Sequence, residues 1–172
     1  MKTYDDLLEE ISRLKDSEKK YRTIVENANE SICIAKNEFL IFVNTKMSNL
    51  LGYSKEELLS SPFTNFIHED DKNFVLNKHK SRLNGNVEPE IYDFRVIKKD
   101  KTIIWIQISS NIITWDSEKS TLNYLTDITD RKLKEKELKL TTKKLKESEE
   151  IFFKVFESSP DGIVIVRVND FE

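Results

Sequence analysis

The chain has 172 residues, with 28 Lys and Arg set against 31 Asp and Glu, a net charge of −3, and 34% charged residues. That length suits one domain with helical extensions, and the near balance of charge gives no electrostatic case for nucleic acid. A lone Cys33 excludes a disulfide framework and a Cys-based zinc site, and the three glycines form neither GxxxxGK nor GxGxxG, so no phosphate-cradling loop is expected.

Residues 4 to 25 carry apolar side chains at alternating spacings of three and four: Tyr4, Leu7, Ile11, Leu14, then Tyr21 and Val25, with Glu18 as a polar break. This is the seam of a weak helical dimer, with a solvated single helix rich in Glu/Lys pairs as the alternative. "SICIA" (31–35) and "FLIFV" (39–43) follow as two short strands around "KNE", a tight hairpin. Asn44 is placed to cap a short helix holding Met47, Leu50 and Leu51, which Gly52 ends. Ser54 and Glu57 make a capping box for the next turn. "HEDDKNFVLNKHKSRLNGN" (68–86) is a longer helix, acidic at its start, basic at its end, and stopped by Asn84–Gly85. The acidic start, Glu69, Asp70 and Asp71, is what a helix dipole favours, so it is no evidence for catalysis. Three further strands are expected near 88–98, 102–114 and 120–129. Two strands, short helices, one long helix and three strands give an α+β fold: a five-stranded antiparallel sheet with helices on one face.

The chain also repeats itself. "LKDSEKKYRTIVENANESICIA" (14–35) aligns with "LKESEEIFFKVFESSPDGIVIV" (145–166), so that Leu14 falls on Leu145, Glu26 on Glu157 and Ile32 on Ile163. Helical and strand patterns stay in phase, the mark of an internal repeat. Residues 131–157 are therefore read as a second amphipathic helix, with a partly polar seam through Leu138, Thr142, Leu145, Glu149 and Phe152. Residues 158–172 are read as the truncated start of a second copy, whose lone strand should be poorly ordered or pair opportunistically.

Three phrases then resemble the sensory-box type of PAS domain: "FVNTKMSNLLGYSKEELLSSPFTNFIHEDD", "KKDKTIIWIQISSNII" and "LTDITDRKLKEKEL". They occur in the family's order and span about residues 17–132. Glu69 stands where the family usually has Pro, and Lys101 where it usually has Gly; both fall at surface turns. The resemblance implies four segments: a linker or coiled-coil helix (1–20), a PAS domain (21–130), a signalling helix (131–157) and the second repeat's start (158–172). It also implies a sensory module of a prokaryotic signalling protein, such as a multi-PAS sensor histidine kinase. Such a module is not an enzyme by itself; it dimerises through its flanking helices and relays a signal to neighbouring repeats and a C-terminal output domain. A purely structural dimerisation or spacer unit is the alternative.

The resemblance makes Asp127, Ile128 and Thr129 the signal-coupling residues; physically, Asp127 or Thr129 caps the helix that follows. Candidates to line an internal pocket are Phe42, Asn44, Tyr53, Phe66, Phe74, Trp105 and Asn123, with Phe63, Phe94 and Tyr124 in reserve. No cofactor and no metal are expected. His79 sits one turn past the haem-ligand position near Val75 and among Lys78, Lys80 and Arg82, which points to a solvated side chain. The flavin-binding phrase of light-sensing relatives, with its cysteine, is missing, and Cys33 reads as a small core residue. An unidentified small ligand in the pocket stays open. No apolar run approaches the roughly 18–20 residues needed to span a bilayer. No signal peptide is evident, so a cytoplasmic location is expected, with no membrane contact by this segment and no nucleic-acid partner.

Overall fold

A computed structural model describes residues 3–85 and 91–157, in two units, Met1–Thr129 and Asp130–Glu172. The expectations for 158–172, and for the start of a strand at 88–90, fall outside the described residues.

The first unit holds one antiparallel sheet. Its strands are β1 (Ser31–Lys36), β2 (Phe39–Val43), β3 (Ile91–Ile97), β4 (Ile103–Trp115) and β5 (Glu118–Asp127), in the spatial order β2-β1-β5-β4-β3. First and last strands are thus neighbours, with Ser31 opposite Leu125 and Ala35 opposite Thr121. The β4–β5 connection is tight: Asp116 and Ser117 both take left-handed backbone, φ 47° and 65°, as a two-residue hairpin turn demands.

Alternation along β4 sends Ile104, Ile106, Ile108 and Ser110 to one face, where all four are buried. Helices α2 (Thr45–Leu51), α3 (Lys55–Ser60) and α4 (Glu69–Leu83), with a 3-10 turn at Phe63–Phe66, close over that face. Met47, Leu51, Leu58, Phe66 and Val75 meet Cys33, Phe94, Val96, Ile106 and Leu125 to form the core.

The caps follow the residue chemistry. The Asn44 side chain accepts from Met47 N, Gly52 closes α2 at φ 77°, and Ser54 and Glu57 form a reciprocal capping box. Lys101, at the position where the resemblance has glycine, also adopts left-handed backbone, φ 71°.

Helix α1 (Tyr4–Glu26) starts with a Thr3–Asp6 capping box. Its end is fastened to the domain: the Glu26 carboxylate accepts from Thr45 N (2.8 Å) and Oγ1 (2.6 Å) and pairs with Lys55 (2.6 Å). Burial pushes that carboxyl's pKa up, but Lys55 and Thr45 outweigh it and hold it below the usual range. Along the rest of α1, Tyr4, Leu7, Ile11 and Leu14 are exposed, while Val25 is half-buried. In the second unit α5 (Thr129–Glu157) continues as a single helix with Leu138, Leu145 and Phe152 exposed.

Candidate functional site

Between the inner face of the sheet and the helices lies a cavity of about 60 Å³. Its apolar lining includes Met47, Leu51, Phe63, Phe66 and Val75 from the helical layer and Phe94 and Ile108 from the sheet. It also carries four polar side chains: His79 and Arg82 from α4, Ser110 from β4 and Asn123 from β5. All four are at least 95% buried.

The polar groups form a string. Ser110 Oγ donates to Asn123 Oδ1, and Asn123 Nδ2 donates to Thr121 O (3.0 Å) and Oγ1 (3.1 Å). Thr121 Oγ1 in turn lies 3.4 Å from His79 Nδ1. The Thr121 hydroxyl also donates to Ala35 O (3.4 Å). His79 Nε2 has no hydrogen-bond partner among the described residues, and neither has Nε of Arg82. Burial lowers the His79 pKa from its ordinary value; the Asn37 backbone opposes that and the positive charge of Arg82 adds to it, so the ring is neutral near pH 7. Phe63 packs edge-on to it at 5.2 Å. Burial pushes the Cys33 thiol up to about 12 against the opposing Asn123 hydrogen bond, which keeps it protonated and unreactive.

Of the pocket candidates read from sequence, Phe66 and Asn123 line this cavity, as do Phe63 and Phe94. The others do not. Phe42 pairs with Ile34 on the opposite face of the sheet, because β1 and β2 alternate and Cys33 and Val43 take the inner positions. Trp105 falls between inward Ile104 and Ile106 and therefore stands outside, paired with Arg95, whose guanidinium is 5.6 Å from the ring centre. Phe74 is 44% exposed, one residue off the buried stripe of α4, and meets Tyr92 edge-on. Tyr53 packs at the core's rim, edge-on to Phe66 at 4.9 Å.

Asn44 is fully buried but spent elsewhere. Its amide accepts from Ile32 N and Met47 N and donates to the carbonyls of Val25 and Glu30, all within 3.0–3.1 Å. The expectation of a solvated His79 is also corrected. Val75, His79 and Arg82 occupy one stripe of α4 at helical spacing, and that stripe faces the core. Arg82 was missed as a pocket residue for the same reason: its neighbours in sequence are basic, but its side chain lines the cavity.

A second locus lies where β5 gives way to α5. Asp127 Oδ1 accepts from Thr129 N (2.9 Å) and Thr129 Oγ1 (2.6 Å), while Thr129 Oγ1 accepts from Trp105 N (3.0 Å). Ile128 N donates to Trp105 O (2.9 Å), and the Ile128 side chain is buried. The Ile128–Thr129 junction at the start of α5 is therefore stitched to β4 through both backbone groups of Trp105.

Residues 40–126 match the family described as PAS fold. Among curated proteins, the chain is 31% identical over 122 residues to the methyl sulfide methyltransferase-associated sensor of Methanosarcina acetivorans, spanning 69% of this chain and 12% of that protein. It is 30% identical over 91 residues to sporulation kinase A of Bacillus subtilis, spanning 51% of this chain and 14% of that protein. The chain thus covers only a small part of either relative. Among solved structures, the PAS domain of an HTR-like protein from Haloarcula marismortui superimposes with a TM-score of 0.58 at 20% identity, over 70% of this chain and 98% of that one.

Proposed function

Because the chain belongs to the PAS fold family, a sensory family that supplies domains to histidine kinases, we propose that it is a sensor module that dimerises through its flanking helices. It passes a signal along α5 to a C-terminal output domain of the histidine-kinase kind. The domain itself is non-catalytic; phosphoryl transfer belongs to that output domain.

The observation that carries this reading is the Asp127–Ile128–Thr129 turn. A helix whose first residue hydrogen-bonds to Trp105, in the strand that also lines the cavity with Ile108 and Ser110, responds to displacement of that strand. The polar string in the cavity supports sensing over a pure spacer role, because a spacer has no use for unsatisfied polar groups in its core. The exposed apolar residues of α1 and α5 support association by those helices.

The test is Asp127→Ala in the longer protein that carries the output domain. We expect basal or stimulated output to change several-fold while the melting temperature of the 172-residue chain shifts little. Loss of folding in step with output would reduce Asp127 to a structural cap.

A further inference from the structure

Arg82 is 4% exposed, and it takes part in no ion pair among the described residues, whereas Arg95 has Asp71 and Lys99 has Glu57. An arginine this deep is nearly always paired, since an uncompensated buried cation is costly. Beside it, His79 is 5% exposed with an unpartnered Nε2, and Nε of Arg82 is an unused N–H donor on a permanent cation. The lining also includes Met47, Phe63 and Val75, which offer only apolar surface. A cavity of about 60 Å³, at roughly 10–15 Å³ for each water-sized body, takes on the order of four to six non-hydrogen atoms.

We propose that this cavity is the receptor site for a small aliphatic monocarboxylate of about two to four carbons, a proposal that rests on the sensory reading above. The guanidinium of Arg82 holds the carboxylate, and the alkyl group lies against Met47, Phe63 and Val75. The planar fork of a guanidinium matches a carboxylate. Phosphate or sulfate would press polar oxygens onto the apolar wall, and a halide would leave most of the volume empty. The acid's charge supplies a counterion that Arg82 does not find among the described residues. Ligand entry therefore acts on α4 and, through the Thr121–Asn123–Ser110 string, on β5 and β4.

The experiment is calorimetric and NMR titration of the 172-residue chain with acetate, propionate and butyrate. Propionamide, 1-propanol, chloride and phosphate serve as comparators at matched ionic strength. We expect saturable binding of a carboxylate, with backbone amide shifts at residues 79–82 and 108–123, and at least tenfold weaker binding of the neutral analogues and inorganic anions. Arg82→Gln should weaken carboxylate binding about tenfold or more, the usual consequence of losing a charge-assisted hydrogen bond. Val75→Phe, which fills the apolar end and leaves the charge in place, should abolish it, and it carries the test if Arg82→Gln fails to fold. Equal binding of propionamide or 1-propanol, or binding that survives Arg82→Gln, overturns the carboxylate assignment and leaves the sensory reading standing. No binding by any probe also overturns it, while the relay reading remains to be judged by Asp127→Ala.

Discussion

Asn44 joins three segments with one amide. Its four hydrogen bonds tie the carbonyl of Val25 at the end of α1, Glu30 and Ile32 at the start of β1, and the first turn of α2. Asn44→Ala would leave two buried N–H groups and two part-buried carbonyls short of a partner, so a loss of roughly 2–4 kcal/mol in urea unfolding is expected. Asn44→Asp should also destabilise, because a carboxylate cannot donate to the two carbonyls. Lys101 offers the converse. Its left-handed backbone costs a side chain about 1 kcal/mol, so Lys101→Gly should leave the melting temperature unchanged or slightly higher. Lys101→Val, β-branched at φ 71°, should lower it clearly. The cap role of Asn44 is legible from its place before an apolar helix, and the burial of His79 and Arg82 is not. Charged neighbours dominate a linear reading of Lys78–Arg82, whereas the 75, 79, 82 stripe shows itself only when one asks which residues share a helix face.

At the scale of elements, the start of α4 is locked to the edge strand β3. Asp71 accepts from Arg95 N (2.8 Å), Nε (2.9 Å) and Nη2 (2.8 Å), and His68 N donates to Arg95 O (3.0 Å). Arg95 holds the Asp71 carboxyl below the usual carboxylate range, against the opposing effect of burial. A carboxylate with a depressed folded pKa stabilises the fold above its unfolded pKa and loses that contribution as pH falls through the folded value. Asp71→Asn should therefore unfold at lower urea than the wild type at pH 7. The gap between the two should close in strongly acidic buffer; a gap independent of pH would mean the ion pair contributes nothing. The succession of strands and helices along the chain and the caps were readable because alternation, Asn44, Gly52 and the Ser54–Glu57 box each carry a local rule. Of the aromatic candidates that do not line the cavity, the two on strands, Phe42 and Trp105, came from weighing ring size over parity. Ile104 and Ile106 already consign Trp105 to the other face.

For the whole molecule, the seam on α1 makes association the decisive quantity. Leu7 and Leu14 are 46% and 59% exposed. Leu7→Ser with Leu14→Ser should shift light scattering from dimer to monomer with the circular dichroism of the sheet domain unchanged; a wild-type chain that is monomeric at high concentration would refute association through α1. The likeness of 14–35 to 145–166 is a matter of sequence, where two periodicities match at once, while the cavity was not legible, since a void is a property of packing and has no motif. One further consequence lies in the strand order. With β1 beside β5 and antiparallel, Ser31 sits opposite Leu125, so the chain arrives and departs at the same end of the central pair. The hydrogen bonds of such a pair run across the strands. Tension applied to the flanking segments would load the bond nearest that end first and peel the pair open one rung at a time, like a zipper. The domain should thus yield at low force when its neighbours are pulled apart, and its middle should be the first part to give.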